Sequence, residues 1–210
     1  MQIYCDWTIN LVDILINLIL IAMTTGITYC LFYALPKEKR KKALKERLLI
    51  FRNELIDFVL KREEKFKQSY ELYEELAWVD EENDERYWHL IKINNWEDFF
   101  SDFRWMSTII YIQFNDYWKG KELMFLINNL VMDDPKYLTL STQLTELDSA
   151  INKTRTILGD KSKGIWNIET EDDLIKTKKD NQHIYFVVSS IEDVIECSKD
   201  VVETIDSILG

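Results

Sequence analysis

Apolar residues run almost unbroken from Ile14 to Leu35, stop at Pro36, and are followed at once by Lys37-Glu38-Lys39-Arg40-Lys41-Lys42. About 20 mostly apolar residues suffice for a helix to cross the hydrocarbon core of a bilayer. This run therefore predicts a single transmembrane helix. It is an anchor rather than a cleaved leader, because Met1 to Asn10 holds no Lys or Arg and the run ends in Tyr33-Ala34-Leu35-Pro36, which is no small-residue cleavage site. Dense positive charge on the far side places the N-terminus outside and everything after Pro36 in the cytoplasm. Trp7, Tyr29, Phe32 and Tyr33 sit where aromatic interface anchors belong.

The run is patterned within itself. Asp6, Asn10, Asp13, Asn17, Thr24 and Thr28 recur at helical steps and form a polar stripe. On roughly the opposite face Ala22, Gly26 and Cys30 make a small-xxx-small series that lets helix backbones approach closely. Asn10, Asp13, Asn17, Ala22, Thr24, Gly26 and Thr28 are thus the candidates for membrane association and oligomerisation. Lys37, Lys39, Arg40, Lys41 and Lys42 are the candidates for anionic-lipid contact. The simpler alternatives are a plain anchor and a plain stop-transfer flank.

Beyond the run, spacing of 3–4 residues predicts a long helix from Lys37 to about Trp78, carried by Leu44, Leu48, Phe51, Leu55, Phe58 or Val59, Arg62, Phe66, Tyr70, Tyr73 and Ala77. Asp80-Glu81-Glu82-Asn83-Asp84 reads as an acidic turn or helix start. Arg86 to Met132 is rich in aromatic residues. It predicts a short helix to about Ile93, a helix capped by Asn95 with Glu97 and Asp98 in its first turn, a break at Gly120, and a helix over Glu122 to Val131. Leu140, Leu144, Leu147, Ile151, Thr154 and Leu158 form a heptad-like row ending at Gly159. Gly159 to Glu171 reads as a loop. A second heptad row runs through Ile184, Val187, Ile191, Val194, Ser198, Val201, Ile205 and Leu209. His183 to Val188 alone has strand composition, but the period continues for three more turns and favours a helix. The 137–158 and 183–209 helices are expected to pair antiparallel.

The predicted fold class is all-α: one N-terminal transmembrane helix, then a cytosolic multi-helix bundle with long helices. Its divisions are 1–36 (outer tail and span), 37–78 (basic flank and long helix) and 79–210 (aromatic-rich domain closed by two heptad helices). Composition agrees. Hydrophobic residues make up 47% of 210, enough for a core, while 5 glycines and 2 prolines are too few for most glycine-hungry β and α/β architectures.

Net charge is −11 although the juxtamembrane tract is basic, so the body is strongly acidic. That argues against nucleic acid as a partner, since such binding rests on neutralising phosphates. The expected partners are the lipid bilayer and either a protein partner or further copies of the chain. Cys5, Cys30 and Cys197 have no metal or disulfide spacing. His89 and His183 stand outside any catalytic motif. No phosphate-binding loop, nucleophile elbow or metalloprotease motif occurs, and no catalytic, cofactor or metal residue is assigned.

The expectation is a non-enzymatic, membrane-anchored interaction, sensor or scaffold module. The alternative is an oligomerising membrane effector, of toxin or antiphage type, that permeabilises the membrane through its polar-striped span. A membrane-anchored hydrolase or nuclease is the third class.

Overall fold

The computed structural model describes residues 18–30, 34–79, 85–114, 119–128, 135–159, 170–171 and 175–210. The chain divides into two compact units, 1–46 and 47–210.

The first unit holds helix α1 over residues 18–30 and the start of α2, Leu35–Leu55. Pro36 is the second residue of α2, and Ala34 just before it is π-helical. Among the described residues no helix is long and apolar enough to cross a membrane. The predicted span, Ile14 to Leu35, includes positions 14–17 and 31–33, which lie outside them.

The second unit is mostly helical. After α2 the chain makes a π-helical turn at Ile56–Leu60, then α3 at Lys61–Gln68. There the expected helix stops. Tyr70–Val79 is strand β1 and Glu85–Ile93 is strand β2, paired antiparallel in a two-stranded sheet. The predicted helices to Trp78 and from Arg86 to Ile93 are thus corrected to a hairpin. The sequence permits both, because Tyr70, Tyr73 and Ala77 fit a helical period while Tyr70, Leu72 and Leu76 fit a period of two. The two strands are dense in Tyr, Trp and Ile, which suit a pleated surface. A bulge between Leu76 and Trp78 interrupts the register.

Helix α4, Trp96–Thr108, begins as predicted, with the Asn95 side chain accepting from Asp98 N–H at 3.2 Å. It runs into a second π-helical turn at Ile109–Gln113. Helix α5 spans Lys119–Asn128, so Gly120 lies inside its first turn rather than at a break. Helix α6, Pro135–Gly159, buries the whole predicted row from Leu140 to Leu158. Helix α7, Lys178–Leu209, buries Ile184, Val187, Ile191, Val194, Ser198, Val201 and Ile205, so His183 to Val188 is helical as expected.

The α6–α7 pairing is antiparallel, as three bonds show. Thr154 Oγ1 donates to Ser190 O at 2.9 Å, Lys153 meets Asp193 at 2.7 Å, and Lys136 Nζ reaches Ser207 O at 2.5 Å. As the position rises on one helix it falls on the other. The core of this unit includes Leu48, Phe51, Leu55, Val59 and Phe66, with Phe99 stacked on Phe66 and Phe103.

Candidate interaction surface

The hairpin rises from a rigid base. Its two stems, α3 before β1 and α4 after β2, are joined by an ion pair between Arg62 and Asp102 at 2.6 Å, with Asp102 only 1% exposed. The Arg62 guanidinium also lies 4.5 Å from the centroid of the Trp105 ring, and the Trp105 indole N–H donates to Phe58 O at 3.0 Å. Phe58 belongs to the π-helical turn, whose altered bonding leaves a carbonyl for an outside donor. A buried carboxylate is costly unless paired, so this cluster defines how the stems meet.

A second set of contacts holds the hairpin and α3 to α7. The Tyr70 hydroxyl donates to Glu192 at 2.5 Å; burial, and then that bond, push its phenol well above the ordinary value. Glu63 is paired with Lys67 at 3.1 Å and Lys199 at 2.5 Å, and Glu196 lies 2.8 Å from Lys67 and 3.3 Å from Lys199. The hydrogen bond from Lys67 draws Glu196 below the usual carboxylate range, against a smaller opposing effect of burial. The bond to Glu63 raises Lys199. Lys178 meets Glu75 at 2.7 Å. His89 Nδ1 lies 3.2 Å from Glu74, and its ring packs against Tyr185 and Phe186. Asn181 completes the set: Ile91 N–H donates to its side-chain oxygen at 2.7 Å, and its side-chain nitrogen donates to Ile91 O at 3.0 Å.

The outer part of the hairpin stands open. Tyr73, Leu76 and Tyr87 are 40%, 49% and 42% exposed, and Glu71, Glu74 and Glu75 are exposed beside them. Apolar and aromatic groups are thus set among like charges on this surface. Tyr73 and Tyr87 were expected on helices, and Leu76, Glu71, Glu74 and Glu75 were not singled out. The signal that marks them is the alternation of Tyr87, His89, Ile91 and Ile93 after an acidic five-residue connection. That connection, 80–84, lies outside the described residues.

Among the described residues no cluster of His, Cys, Asp or Glu is placed to hold a metal ion. Burial, then Glu146, Asp193 and Asp200, push the Cys197 thiol up, which disfavours the nucleophilic thiolate.

Of the residues predicted for membrane association, Asn10, Asp13 and Asn17 lie outside the described residues. Ala22, Thr24, Gly26 and Thr28 are exposed on α1. The Thr24 hydroxyl bonds back to Leu20 O at 2.8 Å, which satisfies it within its own helix. A side chain built at Gly26 would meet nothing within 4 Å. In α2, Lys39, Arg40 and Lys42 are exposed, while Lys37 and Lys41 are half-buried.

Comparison with protein-family models, curated proteins and solved structures finds no match.

Proposed function

We propose that the chain is a membrane-anchored, non-enzymatic interaction module: the apolar run holds it in a bilayer, and the helical body with its hairpin binds a protein partner on the cytoplasmic side. The observation that carries the anchor is α1. Leu18, Ile19, Leu20, Ile21, Met23, Ile27 and Tyr29 are each 53–61% exposed. Four of these are consecutive, so they point around the whole circumference of the helix rather than along one stripe. A helix that is apolar all round needs a protein core or lipid to cover it. The basic tract that follows supports the same reading, with Lys39, Arg40 and Lys42 available to anionic headgroups.

Cell fractionation with alkaline extraction tests the anchor. The intact chain should stay in the pellet, and Ile19→Arg with Ile21→Arg should release it; full release of the unaltered chain would overturn the assignment. A reporter fused after Gly210 should signal cytoplasm. For the module, photo-crosslinking residues at Tyr73, Phe125 and Leu138 should trap a defined protein adduct in cells. No adduct from any of the three would overturn it.

The open face at Gly26 supports a second reading, in which the spans of several copies pack together and permeabilise the membrane. Depolarisation on overexpression, abolished by Asp13→Leu with Asn17→Leu, would distinguish it from a plain anchor.

A further inference from the structure

The two edges of the hairpin sheet are finished differently. Along an antiparallel pair, residues alternate between those whose backbone groups bond the facing strand and those whose groups point away. Asn94 N–H donates to Ser69 O at 2.8 Å. Counting along the register from that bond, Leu72, Glu74 and Leu76 of β1 and Ile91, His89 and Tyr87 of β2 point outward. The Asn181 contact with both backbone groups of Ile91 confirms the count independently.

On β2, the Asn181 carboxamide therefore imitates a neighbouring strand and closes that edge at Ile91. On β1, among the described residues, no group bonds the backbone of Leu72, Glu74 or Leu76. Open edges are ordinarily protected by proline, charge, a bulge or shortness. β1 is 10 residues long and holds no proline, its bulge lies beyond Leu76, and the charge it carries is all acidic, which repels a like strand and leaves the edge to a basic one.

The charge pattern selects what the edge can take. Glu71, Glu74 and Glu75 lie on β1, and the hairpin from 70 to 93 is acidic throughout, with Arg86 and Lys92 its only fixed cations. A second copy of β1 laid antiparallel across Glu74 would set Glu74 opposite Glu74, and like charges directly opposite are destabilising. A strand with lysine or arginine at those positions would gain from each pairing. Each carboxylate already has one neighbour, Lys92, His89 or Lys178, yet it retains further acceptor sites.

We propose that the open edge of β1 receives an extended segment of another protein, adding a third strand, with basic residues opposite Glu71, Glu74 and Glu75 and apolar residues between them near Tyr73 and Leu76. This rests on the interaction-module reading and names the partner's chemistry. Backbone pairing supplies affinity, and the alternate side chains supply selectivity.

The test uses the full chain in detergent micelles and a labelled nine-residue valine peptide carrying lysines spaced Lys-Lys-Val-Val-Lys, so that in an antiparallel third strand they face Glu75, Glu74 and Glu71, with glutamate replacing each lysine in the control. The lysine peptide should bind at least roughly tenfold more tightly. It should slow amide exchange at Leu72, Glu74 and Leu76, while Tyr73 and Glu75, already bonded to β2, change little. Glu74→Pro removes an outward N–H that the hairpin does not use and should weaken binding about tenfold. Glu74→Lys keeps that N–H and should narrow the preference between the two peptides.

Equal binding of the two peptides, or binding without protection at those three amides, would overturn the proposal. Protection that rises with protein concentration in the absence of peptide would overturn it in favour of a second copy. A cellular adduct at Phe125 or Leu138 with no protection of β1 would overturn the edge site alone and leave the module standing.

Discussion

Two segments of this chain have mixed helix and strand character, and they resolve in opposite ways. His183 to Val188 becomes part of α7, with Ile184, Val187 and Val188 buried. Tyr70 to Val79 becomes β1, with Tyr73 and Leu76 exposed. Local composition does not decide them, since His183 to Val188 is β-branched and aromatic yet helical, while Tyr70 to Val79 carries Glu71, Glu74 and Glu75 yet forms a strand. What separates them is the length over which one period can be satisfied. Around 183–188 the helical row continues to Leu209 and meets the complementary row of α6. Around 70–79 it would continue into the acidic residues 80–84 and bury nothing there. The hairpin instead lets Tyr70 and Ile91 reach α7 while its outer part stays in solvent. A buried seam tolerates one arrangement, and a half-open sheet leaves an edge for a partner.

The comparison breaks first at the hairpin's base. Arg62→Met strips Asp102 of its cation and should cost about 3 kcal/mol, the low end for a broken buried pair because Arg62 is itself partly exposed. Equilibrium urea unfolding measures it. Adding Asp102→Leu should recover most of the loss, since a well-packed apolar pair can replace a buried ion pair. A fully additive double variant would show that the pair acts through packing alone.

Asn181→Ala sharpens it at the closed edge. It leaves Ile91 N–H and C=O without their partner and should cost roughly 1–3 kcal/mol. Amide exchange should rise across β1 and β2 and stay slow in the buried stretch of α7 from Val187 to Val201. Uniform acceleration throughout would mean that hairpin and bundle unfold as one.

The smallest effect is acid-dependent. Glu196 titrates below its ordinary value of 4.5 in the folded chain because Lys67 bonds its charged form. It therefore adds stability above about pH 4.5, lost as pH falls through the lowered folded value. Glu196 is largely exposed, so its contribution stays below about 1 kcal/mol. Glu196→Gln should flatten that part of the stability–pH curve, and an unchanged slope would assign the acid response elsewhere.

Much of the fold follows from the residues themselves. The row from Leu140 to Leu158 and the row from Ile184 to Leu209 specify two helices and their buried faces, because a 3.6-residue period held over many turns leaves one solution. Asn95 specifies a helix start, because its side chain can satisfy an orphan N–H three residues on. The apolar run specifies the helix over 18–30, whose threonines, Thr24 and Thr28 among them, are small enough to bond back to their own backbone.

The hairpin is different. From Tyr70 to Ile93 both periods fit, and neither glycine nor proline marks the turn. The choice falls to Asn181, 90 residues from the Ile91 it bonds, and to Glu192, 122 residues from Tyr70. The open edge of β1 was hidden for the same reason: whether a backbone N–H is free depends on which strand lies beside it, and that neighbour exists only once the chain has folded.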